Sequence, residues 1–263
     1  MSIQRFQAKK SAGEKITFVT AYDFPSACLV EKSDVDAVLV GDSLAMVVHG
    51  HDSTIHATEA MMQMHTEAVA RGLKKTFLVA DTPFMSYRRS DRDALVVAEH
   101  LIRAGANAIK AEGADGNLNW MQHAVQSGIP VMGHLGLTPQ HIHTLGGFKV
   151  QGRAQAAQEK LLQDALALQE AGCFSLVLEC VPSAVAEKVT QALDIPTIGI
   201  GAGPDTDGQI LVWHDMLGLQ NEFKPTFLRQ FAQLGDEAVS ALNTYANAVT
   251  AKEYPAQEHC YGD

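Results

Sequence analysis

The sequence predicts an α/β protein of the (β/α)8 TIM-barrel class, and two observations carry that reading. Eight short apolar runs alternate with amphipathic stretches of helical spacing, the pattern of a parallel sheet whose crossovers are helices. Four of those runs end in a carboxylate: Val-Leu-Val-Gly-Asp42-Ser43, Phe-Leu-Val-Ala-Asp81, Ala-Ile-Lys110-Ala-Glu112 and Leu-Val-Leu-Glu179. In a closed parallel barrel the strand exits converge on one mouth, so acids far apart in the chain become neighbours.

Taken in order, strand character lies at residues 16–23, 37–43, 76–84, 108–113, 130–136, 175–181, 196–203 and 210–215. Each is short, apolar and bounded by turn residues, as buried parallel strands are. Helical spacing marks 58–72, 91–104, 117–128, 155–172 and 183–193, and the stretches ending at Gly72, Gly128 and Gly172 close on the residue that favours a helix C-terminus. A further amphipathic helix is expected over 236–252, ahead of Glu253-Tyr254-Pro255. A count of eight strands favours closure over an open doubly wound sheet. No low-complexity linker or repeat divides the chain, so residues 1–263 are expected to form a single catalytic barrel domain with short N-terminal and C-terminal extensions.

At 263 residues, 46% of them hydrophobic, the chain can bury one large core. A formal charge of −10 argues against nucleic acid or an anionic membrane as partner, because both need clustered Lys and Arg and only pairs such as Lys9-Lys10, Lys74-Lys75 and Arg88-Arg89 occur. The start lacks an apolar signal core, and no apolar run is long enough to cross a bilayer, so a cytoplasmic location is expected. Cys28, Cys173, Cys180 and Cys260 are scattered and are expected to stay reduced.

Asp42, Asp81 and Glu112 form the candidate metal cluster. Hard oxygen ligands without a matching His/Cys set favour Mg2+ over Zn2+. The competing reading is that Asp42, Ser43 and Asp81 cap the helices that follow. Glu112 resists it, since period-two alternation puts Lys110 on the same strand face, and an inward Lys and Glu need charge partners or a ligand. Glu179 has apolar neighbours on both sides, surroundings that suit a carboxylate to proton transfer near neutrality; its alternatives are an Arg partner or a cap. His134, at the exit of the fifth strand, either meets a substrate oxygen or ties down a loop. Gly199-Ile-Gly201-Ala-Gly203 lacks the full dinucleotide-loop spacing and is read as close backbone approach at the seventh strand's end. The polar segment 48–54 is placed to act as a lid, and His49 and His51 within it lack an obvious third metal ligand.

Several motifs, in order, carry a resemblance: Val40-Gly-Asp-Ser43, Gly50-His-Asp-Ser-Thr54, Ala80-Asp81-x-Pro-Phe84, Lys110-x-Glu-Gly113, Gly133-His-Leu-Gly-Leu-Thr-Pro-Gln140, Gly146-Gly-Phe-Lys-Val-Gln-Gly152, Leu178-Glu-Cys-Val-Pro182, Gly199-Ile-Gly-Ala-Gly203, Asp207-Gly-Gln-Ile-Leu-Val212 and the segment from Tyr254-Pro255 to Glu258-His259. Together they resemble the ketopantoate hydroxymethyltransferase family of pantothenate biosynthesis, almost end to end. Two departures are small: His49 stands where some relatives carry Gln, and Ala111 replaces a bulkier aliphatic residue. The resemblance implies a (β/α)8 barrel that assembles as a homodecamer. It implies Mg2+ held by Asp42, Asp81 and Glu112, a 2-oxo acid bound by Asp42, Ser43, Asp81 and Lys110, and Glu179 as base. It implies transfer of a hydroxymethyl group from the co-substrate 5,10-methylenetetrahydrofolate to 3-methyl-2-oxobutanoate, through an Mg2+-stabilised enolate, giving 2-dehydropantoate. His134 is added as donor of a hydrogen bond to a substrate oxygen. The rival enzyme reading is an Mg2+-dependent carbon–carbon lyase or mutase of the phosphoenolpyruvate-using barrel type; a rival of another class is a noncatalytic barrel that binds a 2-oxo acid.

Overall fold

The computed structural model describes residues 2–220 and 224–262, and among them eight parallel strands close into a barrel in sequence order, β1 pairing with β8. The strands are β1 (Ile16–Thr20), β2 (Ala37–Val40), β3 (Phe77–Asp81), β4 (Ala108–Glu112), β5 (Val131–Gly136), β6 (Ser175–Glu179), β7 (Thr197–Ile200) and β8 (Gly208–Leu211). Helices are α1 (Ile3–Ala12), α2 (Phe24–Glu31), α3 (Leu44–Val47), α4 (Glu59–Gly72), α5 (Asp91–Arg103), α6 (Leu118–Gln126), α7 (Ile142–Leu145), α8 (Gln155–Glu170), α9 (Ser183–Ala192), α10 (Trp213–Met216) and α11 (Leu234–Thr250). The described residues of Met1–Leu211 form one compact unit and those of Val212–Asp263 a second. The second unit holds α10, α11 and a short 3-10 turn at Gln257–His259, and Tyr254 packs its ring against Tyr245 and His259. No described helix is long and apolar enough to cross a membrane.

All eight predicted strands are present, with one displacement. The eighth, expected over 210–215, runs from Gly208 to Leu211, and its expected second half turns into α10 at Trp213. The apolar run Ile-Leu-Val-Trp continues across that strand-to-helix change, so hydrophobicity alone could not locate it. The helix expected over 236–252 is α11, begun two residues earlier.

The barrel interior shows why the strands read as apolar. Phe18, Leu39, Phe77, Val79, Ala108, Met132, Val177, Ile198 and Ile210 alternate along their strands and fill the inside as one buried cluster. Continuing the same alternation toward the strand exits, Phe77 and Val79 lead to Asp81, Ala108 to Lys110 and Glu112, Met132 to His134, and Val177 to Glu179. The core layers therefore end in a charged layer at the C-terminal mouth. At the opposite end, α1 closes the barrel: Phe6 is fully buried, its ring centroid 5.6 Å from Phe18, 5.2 Å from Phe77 and 5.5 Å from Phe174. Lys9 and Lys10 on that helix are tied by ion pairs to Asp36 (2.6 Å) and Asp207 (2.8 Å). The four cysteines are unpaired, with Cys173 buried and Cys260 exposed.

Candidate active site

Strand register assembles the charged layer. β3 and β4 pair Asp81 with Lys110, β4 and β5 pair Glu112 with His134, and β5 and β6 bring Gly136 beside Glu179. Lys110 Nζ lies 2.6 Å from Asp81 Oδ1 and 3.3 Å from His134 Nδ1. The His134 ring bridges two acids, with Nδ1 3.4 Å from Glu112 Oε1 and Nε2 3.2 Å from Glu179 Oε2. Asp42 follows β2, its backbone N–H donating to Asp81 Oδ2 at 3.2 Å. Asp42, Asp81, Lys110, Glu112 and His134 are all buried, and Glu179 remains partly open, its side chain 18% exposed.

Two glycines are required by close approach. A Cβ on Gly41 would stand 2.8 Å from Ser43 Oγ, and one on Gly136, whose φ is +93°, would stand 2.2 Å from the Glu179 carbonyl oxygen. Gly136 thus lets β6 bring Glu179 up to His134.

Burial and crowding of like charge shift the acids and bases of this layer from their ordinary ranges. Burial raises Asp42 well above the usual carboxylate range, and the negative charges of Asp81 and Glu112 push it further; the Gln140 amide and Lys110 only partly offset this. Burial also raises Asp81 against the opposing pull of Lys110. Burial works against ionised Glu112 too, but His134, Lys110 and the Gln140 backbone N–H together hold it below its ordinary value. For Lys110, burial is outweighed by Asp81, Glu112 and Asp42, and the ammonium is held charged. Burial and Lys110 disfavour protonated His134, yet Glu112 and Glu179 prevail and raise its pKa to about 9.

The cap readings of the acids fall away. Asp81 is the last residue of β3, Ser43 stands at the start of α3 without capping it and instead shares a 2.8 Å hydrogen bond with the Tyr22 hydroxyl, and Glu179 faces His134 while Pro182 holds the N-cap position of α9. His49 and His51 stay outside the cluster: His49 Nε2 meets His65 Nε2 at 2.9 Å, and His51 stacks on His56. Segment 48–54 runs into a 3-10 turn at Thr54–His56 capped by Ser53.

Sequence reasoning passed over Gln140, Tyr87 and Arg88. Gln140, on a 3-10 turn after β5, is buried and donates its backbone N–H to Glu112 Oε2 (3.0 Å) and its side-chain amide to Asp42 Oδ2 (2.9 Å) and the Thr82 carbonyl (2.8 Å). Tyr87 OH donates to Gln140 Oε1 at 2.8 Å, and Arg88 donates to the Glu112 carbonyl at 2.9 Å. A neutral Gln gives no charge signal in sequence, although it closes the motif that begins at Gly133.

The donor set fits a hard divalent cation. Three buried acids face two bases, burial and then the charges of Asp81 and Glu112 disfavour ionised Asp42, and Glu112 Oε1 makes no well-aligned hydrogen bond. Among the described residues no three His, Cys, Asp or Glu side chains stand as a finished metal cage. The fit rests on the chemistry of the donors, since Mg2+ takes carboxylate oxygens and fills its remaining positions with water and substrate oxygens.

Comparison with known proteins agrees with the motifs. A family model described as ketopantoate hydroxymethyltransferase matches residues 1–257. The 3-methyl-2-oxobutanoate hydroxymethyltransferase of Legionella pneumophila strain Philadelphia 1 is 53% identical over 262 residues, covering 99% of this chain and 100% of its own. That of Coxiella burnetii strain RSA 493 is 51% identical over 263 residues, covering 99% of each. Among solved structures, phosphonopyruvate hydrolase in complex with oxalate and Mg2+ superposes with a TM-score of 0.64 at 13% identity, covering 98% of this chain and 92% of its own. A 2,3-dimethylmalate lyase of the PEP mutase/isocitrate lyase superfamily does so at 0.60 and 17%, covering 97% and 89%. At such identities these two share the fold alone, whereas the sequence matches run end to end, and the chain is an enzyme that belongs to the ketopantoate hydroxymethyltransferase family.

Proposed function

We propose that the chain transfers a hydroxymethyl group from 5,10-methylenetetrahydrofolate to 3-methyl-2-oxobutanoate, giving 2-dehydropantoate and tetrahydrofolate, with water supplying the hydroxyl oxygen. The observation that carries the chemistry is the buried layer in which Lys110, Asp81, Glu112 and His134 lead from the carboxylates to the partly open Glu179. Asp42, Asp81 and Glu112 would hold Mg2+, which as a Lewis acid would make the C3 proton of a bound 2-oxo acid more acidic.

Glu179 takes the C3 proton as base. It is the one acid of the layer with substantial access to the mouth, and its Oε2 lies 3.2 Å from His134 Nε2. Lys110 offsets negative charge on the substrate carboxylate and on the developing enolate, held charged by the acids around it. Ser43, fixed by Tyr22, orients the substrate carboxylate, and His134, protonated between two acids, donates toward a substrate oxygen. The methylene carbon of the donor is bonded to two folate nitrogens: one C–N bond is exchanged for the new bond to the enolate carbon and the other for a bond to the oxygen of water, while the nitrogens take up the proton removed from C3 and one from water, leaving tetrahydrofolate. The family resemblance supports a single catalytic domain, a homodecamer in the cytoplasm, and small-molecule partners only.

Proton exchange isolates the first step. In D2O, with Mg2+ and no folate, the enzyme is expected to exchange the C3 proton of 3-methyl-2-oxobutanoate, read by NMR, and Glu179→Gln to lose that exchange. Exchange that survives in Glu179→Gln, or that ignores Mg2+, would refute the assignment.

A further inference from the structure

The candidate metal carboxylates come from three different strand exits, and one neutral side chain spans two of them. Gln140 spends every hydrogen-bonding group of its side chain. Its Nε2 donates to Asp42 Oδ2 and to the Thr82 carbonyl, and its Oε1 accepts from Tyr87 OH. That pattern fixes the amide's orientation, because the flipped amide would set its oxygen against two acceptors. The backbone N–H of the same residue holds Glu112 Oε2 at 3.0 Å. The residue is only 4% exposed and sits on the 3-10 turn Pro139–His141.

We propose that Gln140 is a positioning residue for the divalent cation: one uncharged side chain and its own backbone N–H set the spacing and rotation of Asp42 and Glu112, with Tyr87 locking the amide. The inference rests on the Mg2+ reading above. An uncharged donor suits the task, since it orients a carboxylate by occupying one oxygen, while leaving the negative charge and the other oxygen for the ion. A Lys or Arg in its place would compete with the cation.

Affinity for Mn2+, which shares the preference of Mg2+ for oxygen ligands, can be followed by electron paramagnetic resonance in the presence of 3-methyl-2-oxobutanoate. Gln140→Leu, close in volume and without donors, is expected to bind Mn2+ about 10–100-fold more weakly, as loss of a ligand-orienting partner does. Tyr87→Phe, which keeps Gln140 but unlocks its amide, is expected to fall between that variant and the wild type, and it decides the question if Gln140→Leu does not fold. Ser175→Ala removes a buried hydrogen bond to the Pro196 carbonyl at the other end of the barrel and is expected to lower the unfolding midpoint without changing Mn2+ affinity. Wild-type affinity in both Gln140→Leu and Tyr87→Phe would overturn the proposal while leaving the cation reading intact. Equal weakening by Ser175→Ala would overturn it as a general stability effect. Failure of the wild type itself to bind Mn2+ would overturn the cation reading and this inference with it.

Discussion

Removing the ammonium from the charged layer is the most direct probe of how the barrel tolerates its acids. Lys110→Met keeps the length of the side chain and deletes its charge. At 2.6 Å from Asp81 Oδ1, the lost attraction is about 6 kcal/mol at an effective dielectric of about 20. Two terms reduce it: the desolvation of Lys110 is recovered, and its repulsion of His134, 3.3 Å away, disappears. Breaking a buried pair typically costs about 3–5 kcal/mol, and the relief at His134 argues for the lower end, about 3 kcal/mol. With an unfolding slope of about 3 kcal/mol per molar urea for a chain of this size, the midpoint of the metal-free variant should fall by about 1 M at pH 8. The sign of the pH dependence follows from Asp81, whose folded pKa is already raised and rises further without Lys110. The folded variant then binds a proton that the unfolded chain has released, so its stability declines as pH rises from the unfolded carboxylate range toward the folded value. The deficit against wild type should therefore be smaller at pH 5 than at pH 8. Equal midpoints at pH 8, or a deficit that grows on acidification, would refute the reasoning.

Two further perturbations test the scaffold. Phe6→Ala should cost about 3–5 kcal/mol, since it empties a fully buried site ringed by three aromatic side chains, and chemical denaturation reads the loss directly. Gly136→Ala should abolish C3 proton exchange, because its methyl would sit 2.2 Å from the Glu179 carbonyl oxygen at a φ of +93°; exchange at the wild-type rate would show that Glu179 is not held by this approach.

Much of the barrel was legible because its interior strands carry the signal of burial on both faces, and the strand-end acids marked the mouth. The helices were less legible where burial is sparse: α1 buries only Phe6, so its helical repeat has no apolar stripe to announce it, and α2 is apolar without a clear face. Within the site, alternation placed Lys110 and Glu112 on one face, but which acid each would meet depended on inter-strand register, which no local pattern encodes. His134 shows the same limit. A histidine at a strand exit reads equally as a loop tie or a ligand, and only the register with Glu112 and the approach of β6 make it a bridge. Gln140 lay beyond reach because its role comes from a turn geometry and a neutral amide.

The aromatic closure beneath the barrel bears on traffic through the enzyme. With Phe6 seated among Phe18, Phe77 and Phe174, the N-terminal end of the barrel is packed with aromatic rings, and the interior above it is filled by side chains. On the proposed reaction, the 2-oxo acid, its one-carbon donor and the enlarged acid would then share one doorway, the strand-exit mouth where Glu179 is partly open.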